Sequence, residues 1–314
     1  MSGGRFVIVV ADSAGCGALP DAREYGDEGS DTIGNTSRAV GGLALPNLGK
    51  LGLGHLTAIA GVPPEPAPSA WAAKMAERSN GKDTITGHWE MMGIVLREGL
   101  ALYPQGFPPE IVEPFVRETG VPGSYVRTYN RKDFSLATPA PTVLEELTAA
   151  GVPVYGVGKI PDIFDRKGIT EELHTEGNAD GLEKTAAALD RVASGLVFVN
   201  LVDFDMLWGH RNDVKGYAQA LEAMDRGLPD VLGRLREGDM LAITADHGCD
   251  PTTPSTDHSR EYVPLLVDVP GRKGVALGTR ATFADLGATA AAYFGLCAAE
   301  GTSFLDEVGA RRPA

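Results

Sequence analysis

The feature that most constrains the fold of this chain is the alternation of short apolar runs with helical segments. The runs are rich in Val, Ile and Leu and are almost continuously apolar, which is typical of strands covered on both faces. The predicted strands are Arg5–Ala11, Val152–Val157, Leu196–Val202, Met240–Ala245 and Tyr262–Val267. The predicted helices are Thr142–Ala150, Ala179–Ala193, Tyr217–Arg236 and Asp285–Phe294. This order predicts an α/β fold with a doubly wound, mostly parallel sheet sandwiched by helices.

The charge and the cysteine content exclude several classes of protein. The chain has 314 residues, of which 28 are Lys or Arg and 42 are Asp or Glu, giving a net charge of −14. A chain this acidic is repelled by nucleic acid and by anionic lipid, so we expect neither as a partner. No run approaches the roughly 20 apolar residues that span a bilayer. Three cysteines without zinc-ligand spacing and no recognisable signal peptide favour a cytoplasmic location.

Acidic residues follow the ends of several predicted strands. Asp12 follows the first strand, Asp203 and Asp205 follow the strand that ends at Val202, and Asp246 follows the strand that ends at Ala245. Ligands of open α/β sheets bind beyond the carboxyl ends of the strands, so we expect these acids to meet at one edge. Like charges about 4 Å apart repel by several kcal/mol, and raised pKa values or bound cations resolve that repulsion.

Three histidines accompany these acids. His247 directly follows Asp246, His210 lies shortly after Asp205, and His258 directly follows another aspartate. Carboxylates combined with neutral imidazoles suit Mn²⁺, Zn²⁺ or Fe²⁺ better than Ca²⁺. Each residue alone is also compatible with a turn, a helix cap or an exposed loop. Three acids and three histidines together exceed the needs of one open catalytic ion and suit two.

A candidate nucleophile lies in the segment 81–90, Gly-Lys-Asp-Thr-Ile-Thr-Gly-His-Trp-Glu. This text predicts a turn into a helix with Asp83 or Thr84 as N-cap. A hydroxyl there lies near free N–H groups and the positive end of the helix dipole, which suits a phosphoryl group. A nearby metal could convert the hydroxyl into an alkoxide nucleophile. An ordinary capped helix is the alternative.

Basic residues at two places are candidates for phosphate binding. Arg127 and Arg131 belong to a short basic cluster, and Lys159 follows a predicted strand at the expected ligand edge. Guanidinium groups bind phosphate oxygens in pairs, which suits this role. A solvated loop is the alternative for the two arginines.

Taken together, these segments resemble the bacterial phosphopentomutases, which belong to the alkaline phosphatase superfamily and are related to cofactor-independent phosphoglycerate mutase. The matching text comprises the segments 11–17, 29–34, 46–54, 81–90, 158–163, 200–205, 245–248, 256–262 and 301–305. The resemblance implies an alkaline-phosphatase-like core with two metal ions, usually manganese. It assigns one ion to Asp12, Asp246 and His247, and the other ion to Asp205, His210 and His258.

The resemblance also implies a reaction. Thr84 matches a threonine that is phosphorylated and bridges the metals, and Lys159 matches a lysine that contacts the substrate phosphate. Arg127 and Arg131 lie in a matching Arg-Thr-x-Asn-Arg stretch. The family interconverts the 1-phosphate and the 5-phosphate of ribose or 2-deoxyribose through a 1,5-bisphosphate, which also serves as activator. Neither the choice between the two sugars nor an oligomeric state follows from the sequence.

The chain departs from the family at the cap, a small α/β domain that closes over the substrate. The text passes from 115–120 through 121–125 straight to the stretch 127–131, so most of a cap is absent. We predict a metal-binding core of residues 1–96 and 139–314, with 97–138 as a remnant that includes a helix from Pro109 to Glu118.

Loss of the cap has a predicted consequence for activity. A closing lid retains the bisphosphate and keeps water from the phosphothreonine. We therefore expect impaired mutase activity together with some phosphatase activity. A cap-less metal-dependent phosphohydrolase of small phosphate esters and an inactive scaffold are the alternatives.

Overall fold

A computed structural model describes residues 4–101, 106–119, 136–310 and 312. Within these residues eight strands form one sheet: β1 (Arg5–Ala11), β2 (Trp71–Met75), β3 (Val154–Val157), β4 (Glu171–Leu173), β5 (Gly195–Leu201), β6 (Met240–Thr244), β7 (Val263–Asp268) and β8 (Ala276–Arg280). The helices are α1 (Thr32–Val40), α2 (Pro46–Leu51), α3 (Thr84–Met91), α4 (Pro109–Thr119), α5 (Val143–Ala149), α6 (Ile160–Ile163), α7 (Asn178–Arg191), α8 (Val214–Leu232) and α9 (Ala284–Tyr293). Short helical turns occur at Ala22–Tyr25, Leu53–His55, Phe204–Trp208 and Gly209–Arg211.

The sheet is mostly parallel, as predicted. Its strand order is β4-β3-β5-β1-β6-β7-β2-β8. β1 lies between β5 and β6 and is parallel to both. β7 is antiparallel to β6 and to β2, so it enters the sheet at the edge where β6 leaves it. The connection 245–262 between β6 and β7 therefore lies at the carboxyl end of the parallel strands.

Helices cover both faces of the sheet. One group packs around α8, which contacts α1, α2 and α7, and the other packs around α9, which contacts α3 and α5. Every residue of β1 and of β5 is buried. This two-sided burial explains why both strands appear in the sequence as continuous apolar runs.

Three strands had no counterpart in the sequence predictions. β4 has three residues, and β8 is partly exposed along its length; both are edge strands, which do not need a continuous apolar run. β2 has the sequence Trp-Ala-Ala-Lys-Met, in which alanines replace the usual branched residues. The prediction for β1 matches the observed strand at both ends, and those for β3, β5, β6 and β7 differ from the structure by one or two residues at their ends.

Two helices illustrate how local sequence sets helix boundaries. α8 begins at Val214, earlier than the predicted Tyr217, because the side chain of Asp213 caps it by accepting a hydrogen bond from the Gly216 N–H. It ends at Leu232 and not at the predicted Arg236. α4 occupies Pro109–Thr119, in agreement with the predicted helix. Among the described residues, no helix combines the length and the apolar character needed to cross a membrane.

Candidate metal centre

Three adjacent strands end in acidic residues at one edge of the sheet. Asp12 follows β1, Asp246 lies just after β6, and Asp205 lies in the π-helical turn that follows β5. Their strands are neighbours in the order β5-β1-β6. All three side chains are buried. The predicted convergence of strand-end acids is therefore present in the fold, at the position where open α/β sheets bind ligands.

The three predicted histidines lie among these acids. His247 Nε2 is 3.4 Å from Asp12 Oδ1 and 3.4 Å from Asp246 Oδ2. The two oxygens of Asp205 face two different rings, with Oδ2 3.1 Å from His210 Nε2 and Oδ1 3.3 Å from His258 Nε2. The rings of His247 and His258 have centroids 4.0 Å apart. The structure thus brings all six side chains into one cluster.

Possible ligand groups within the cluster overlap. Donor atoms within 4.8 Å of one another form three sets, which are Asp12, Asp246 and His247; Asp205, His247 and His258; and Asp205, His210 and Cys249. The first set is identical to one that the family resemblance implies. In the other two sets, His210 and His258 are each grouped with Asp205 but not with one another. Cys249, which is buried, was not predicted to lie here.

The hydrogen bonds of the cluster fit a site for divalent cations. One oxygen of Asp12 accepts a bond from Asn200 Nδ2 (2.8 Å), and one oxygen of Asp246 accepts a bond from the Ser13 N–H (2.9 Å). The second oxygens, Asp12 Oδ1 and Asp246 Oδ2, make no well-aligned hydrogen bond among the described residues, and the same holds for Asp205 Oδ1. Imidazole nitrogens lie 3.2 to 3.4 Å from these three oxygens. Buried acceptors without partners are costly, and cations satisfy them.

Burial and neighbouring charges shift the pKa values of these groups in different directions. Burial raises the pKa of Asp12, and the charge of Asp246 adds to the effect. Burial would also raise the pKa of Asp246, but the charge of His247 and the contact with His88 lower it to about 2. For Asp205, the close contacts with the His210 and His258 rings outweigh burial and hold the pKa well below its usual value. In the metal-free cluster, the neighbouring histidines thus stabilise the ionised forms of Asp205 and Asp246.

Thr84 projects from the start of α3 into this cluster. Its Oγ1 lies 3.2 Å from His247 Nε2. Asp83 is the N-cap, because its Oδ1 accepts a hydrogen bond of 3.0 Å from the Thr86 N–H. Gly87 allows α3 to approach the end of β6 this closely, since a Cβ at this position would lie 2.1 Å from the Asp246 carbonyl oxygen. The candidate nucleophile is therefore fixed by a cap and by a close backbone approach.

Of the three residues predicted to bind phosphate, one lies within the described part of the chain. Lys159 follows β3 at the same sheet edge and is half-buried. Arg127 and Arg131 lie outside the described residues. Sequence reasoning assigned no role to His88 and Asn200, which contact Asp246 and Asp12 respectively. The spacing of four residues between Thr84 and His88 is the signal that could have placed His88 on the same helix face.

Comparison with known proteins decides the family. The model of the Metalloenzyme superfamily matches residues 4–298. A phosphopentomutase of Anaeromyxobacter dehalogenans (strain 2CP-C) is 60% identical over an alignment of 383 residues that covers 97% of this chain and 98% of the relative. The chain belongs to the phosphopentomutase family. A phosphopentomutase of Kosmotoga olearia is 45% identical, with 97% of this chain and 99% of the relative covered.

Membership of this family confirms the enzyme class predicted from the sequence and supports pentose phosphates as substrates and divalent ions as cofactors. Phosphopentomutases are isomerase-class phosphotransferases that act on pentose phosphates, and a metalloenzyme superfamily implies divalent ions. The PH0037 protein from Pyrococcus horikoshii has a TM-score of 0.54 at 14% identity, covering 91% of this chain and 95% of that chain. An alkaline phosphatase superfamily protein from Vibrio parahaemolyticus has a TM-score of 0.53 at 14% identity, covering 95% and 68%. These two structures share the fold.

Proposed function

We propose that this chain transfers phosphoryl groups between the 1- and 5-positions of ribose or 2-deoxyribose through a phosphothreonine at Thr84. The observation that carries the proposal is the 3.2 Å contact between Thr84 Oγ1 and His247 Nε2 inside the acid and histidine cluster. A hydroxyl at a helix start, beside candidate metal ligands, has the position that a phosphoryl-accepting nucleophile needs.

The cluster supplies enough ligands for two divalent ions, and Mn²⁺ suits its mixture of carboxylates and imidazoles. Asp12, Asp246 and His247 would hold one ion and Asp205, His210 and His258 would hold the other, with Thr84 Oγ1 as a further ligand. When bound, such ions reduce the negative charge of a phosphoryl group and favour the ionised form of a nearby hydroxyl.

The residues of the chain perform a transfer in two halves. In one half, Thr84 Oγ1 loses its proton and forms a bond to phosphorus while the bond from phosphorus to the sugar oxygen breaks, and that oxygen takes up a proton. In the other half, a sugar hydroxyl loses its proton and attacks the phosphothreonine, the bond from phosphorus to Thr84 Oγ1 breaks, and Thr84 Oγ1 takes up a proton. The 1,5-bisphosphate must turn between the halves. Lys159, with Arg127 and Arg131, would hold the phosphate that is not being transferred.

We propose further that residues 1–96 and 139–314 form the core and that 97–138 are the remnant of a cap. The alignment with the Anaeromyxobacter dehalogenans relative spans 383 positions, whereas this chain has 314 residues, so at least 69 positions carry no residue of this chain. In the remnant, Ile111 is 44% exposed and Leu136 is 66% exposed. Exposed apolar side chains fit a segment from which a covering domain has been lost.

Loss of the cap favours escape of the bisphosphate and entry of water. We expect weakened mutase activity and release of inorganic phosphate. The length difference also favours the second candidate function, a cap-less phosphohydrolase of small phosphate esters. The third candidate, an inactive scaffold, predicts that the cluster binds no metal. The cytoplasmic location remains a prediction from the cysteine content.

Mass spectrometry of the intact protein tests the nucleophile assignment and separates the two enzyme candidates from the inactive scaffold. The protein is loaded with Mn²⁺ and mixed with ribose 1,5-bisphosphate, and Thr84→Val serves as control. We expect the mass of one phosphoryl group on the wild type, located at Thr84 by peptide analysis, and none on the control. Two bound Mn²⁺ ions without phosphorylation would contradict the nucleophile assignment. Failure to bind Mn²⁺ would instead favour the scaffold.

A further inference from the structure

A buried imidazole lies directly behind the proposed metal site and has no part in the mechanism described above. His88 is one turn after Thr84 on α3 and is fully buried. Its Nδ1 lies 2.8 Å from the carbonyl oxygen of Thr84 and 3.2 Å from Asp246 Oδ2. The ring therefore points back along the helix, the usual direction for a helical side chain. Both neighbours of Nδ1 are acceptors, so Nδ1 carries the hydrogen.

A buried amide completes the arrangement on the other side of the ring. Asn200 is the penultimate residue of β5 and is buried. Its Nδ2 lies 2.8 Å from Asp12 Oδ2 and 3.4 Å from His88 Nε2. The two hydrogens of the amide serve these two acceptors. The opposite orientation of the amide would place its oxygen against the Asp12 carboxylate, so the contact with Asp12 fixes the donor side toward both neighbours.

The hydrogen bonds between these groups are mutually consistent. Asn200 donates to Asp12 and to His88 Nε2. His88 Nδ1 donates to the Thr84 carbonyl oxygen and lies 3.2 Å from Asp246 Oδ2. This pattern uses one hydrogen and one lone pair of the imidazole, as in the neutral ring. Neither half of the proposed phosphoryl transfer requires His88 to gain or lose a proton. His88 and Asn200 therefore have the properties of a rigid support.

The surroundings of the pair restrict its motion. Phe198 lies two residues before Asn200 on β5, so both side chains face the same side of the sheet. The ring of Phe198 contacts the ring of His88, with centroids 5.8 Å apart, and the ring of Phe164 contacts Phe198 in turn, with centroids 6.0 Å apart. An imidazole held between an aromatic ring and fixed polar partners has one stable orientation.

We infer that His88 and Asn200 are positioning residues that hold the Asp12 and Asp246 carboxylates and the first turn of α3 in one fixed arrangement. The inference rests on the proposed metal site, because it concerns the groups assigned there as ligands. Asn200 binds one oxygen of Asp12 and leaves the other oxygen directed at His247. His88 joins Asp246 to the backbone of the nucleophile. Partners of this kind around metal ligands typically change metal affinity or activity by about 10- to 100-fold when removed.

The test measures Mn²⁺ affinity and stoichiometry by electron paramagnetic resonance of the free ion, in the full-length protein. Asn200→Leu keeps the approximate side-chain volume and removes both donors. We expect both proteins to bind two ions. In the variant, the dissociation constant of the more weakly bound ion should be about 10-fold higher or more. His88→Asn keeps an N–H near the Nδ1 position and should lose less affinity than His88→Leu.

Tyr293→Phe is the matched control. It removes a mostly buried hydroxyl that donates hydrogen bonds to the Arg5 and Gly238 carbonyls, at the opposite end of β1 from Asp12. We expect this variant to keep wild-type Mn²⁺ affinity. Comparison of Asn200→Leu with Tyr293→Phe separates an effect on the ligands from a general loss of stability.

The outcomes are distinct. Unchanged Mn²⁺ affinity in folded Asn200→Leu overturns the inference, and so does an equal loss in Tyr293→Phe. If Asn200→Leu does not fold, the comparison between His88→Asn and His88→Leu decides, and equal affinities in that pair overturn the inference. Failure of the wild type to bind Mn²⁺ contradicts the proposed metal site itself and removes the basis of the inference.

Discussion

Replacing Gly87 by alanine should displace the nucleophile relative to Asp246 without removing the side chain of any proposed ligand. A Cβ at this position would lie 2.1 Å from the Asp246 carbonyl oxygen and 3.0 Å from the Asp246 Cβ. Because real Cβ atoms do not approach other heavy atoms closer than 3.0 Å, α3 or the end of β6 must move by at least 0.9 Å, the difference between 3.0 and 2.1 Å. A misplacement of about 1 Å typically costs about 100-fold in rate, or about 2.7 kcal/mol in the activation barrier.

The assay is the rate at which Mn²⁺-loaded protein acquires a phosphoryl group from ribose 1,5-bisphosphate. We expect a loss of about 100-fold, with a loss of unfolding free energy of about 1–3 kcal/mol from overpacking. Gly49→Ala is the control, because it makes the same exchange within α2, where the nearest atom is a flexible Val62 methyl at 3.2 Å. A wild-type phosphorylation rate in Gly87→Ala would refute the argument that the close approach of α3 sets the position of Thr84.

Three further outcomes are expected. Thr84→Ser should still become phosphorylated, but more slowly, whereas Thr84→Val should not be phosphorylated and should keep wild-type Mn²⁺ stoichiometry; phosphorylation of the valine variant at another residue would contradict this. Burial raises the pKa of Glu261 from 4.5 to about 7, so the folded state binds the extra proton between these values. Unfolding free energy relative to Glu261→Gln should therefore fall by roughly 3 kcal/mol as pH rises from 4.5 to 7, and denaturant titrations showing a rise would contradict the sign. Arg5→Met should lower the unfolding free energy measured in urea by roughly 3–5 kcal/mol, because it leaves the buried Asp239 carboxylate without its ion-pair partner. The Mn²⁺ affinity of this variant should be unchanged.

The extent to which the sequence predicted this fold depends on burial. β1 and β5 are buried on both faces, so their sequences are continuous apolar runs that are read directly. β8 at the sheet edge is partly exposed and contains glycine and polar residues, so no comparable signal exists. Sheet order and the reversed direction of β7 depend on contacts between segments far apart in sequence, and local patterns do not encode them.

The candidate site shows the same division. Asp12, Asp205 and Asp246 were predictable because each follows an apolar run, and strand ends of one parallel sheet converge. Asn200 lies inside a strand, where no local pattern marks its role, and the spacing of His88 from Thr84 indicates a shared helix face but not a contact with Asp246. Their contacts arise only when α3 packs beside β5 and β6. Their role therefore becomes visible only in the folded structure.

Phosphorus NMR tests the central claim, that this core carries out phosphoryl transfer at Thr84 and loses part of the product to water. The Mn²⁺-loaded protein is given ribose 5-phosphate and primed with ribose 1,5-bisphosphate. We predict that inorganic phosphate accumulates, that ribose 1-phosphate forms more slowly, and that Thr84→Val produces neither. Rapid formation of ribose 1-phosphate without inorganic phosphate would contradict the proposed role of the missing cap. Formation of neither compound by a protein that binds two Mn²⁺ ions would contradict phosphoryl transfer by this core.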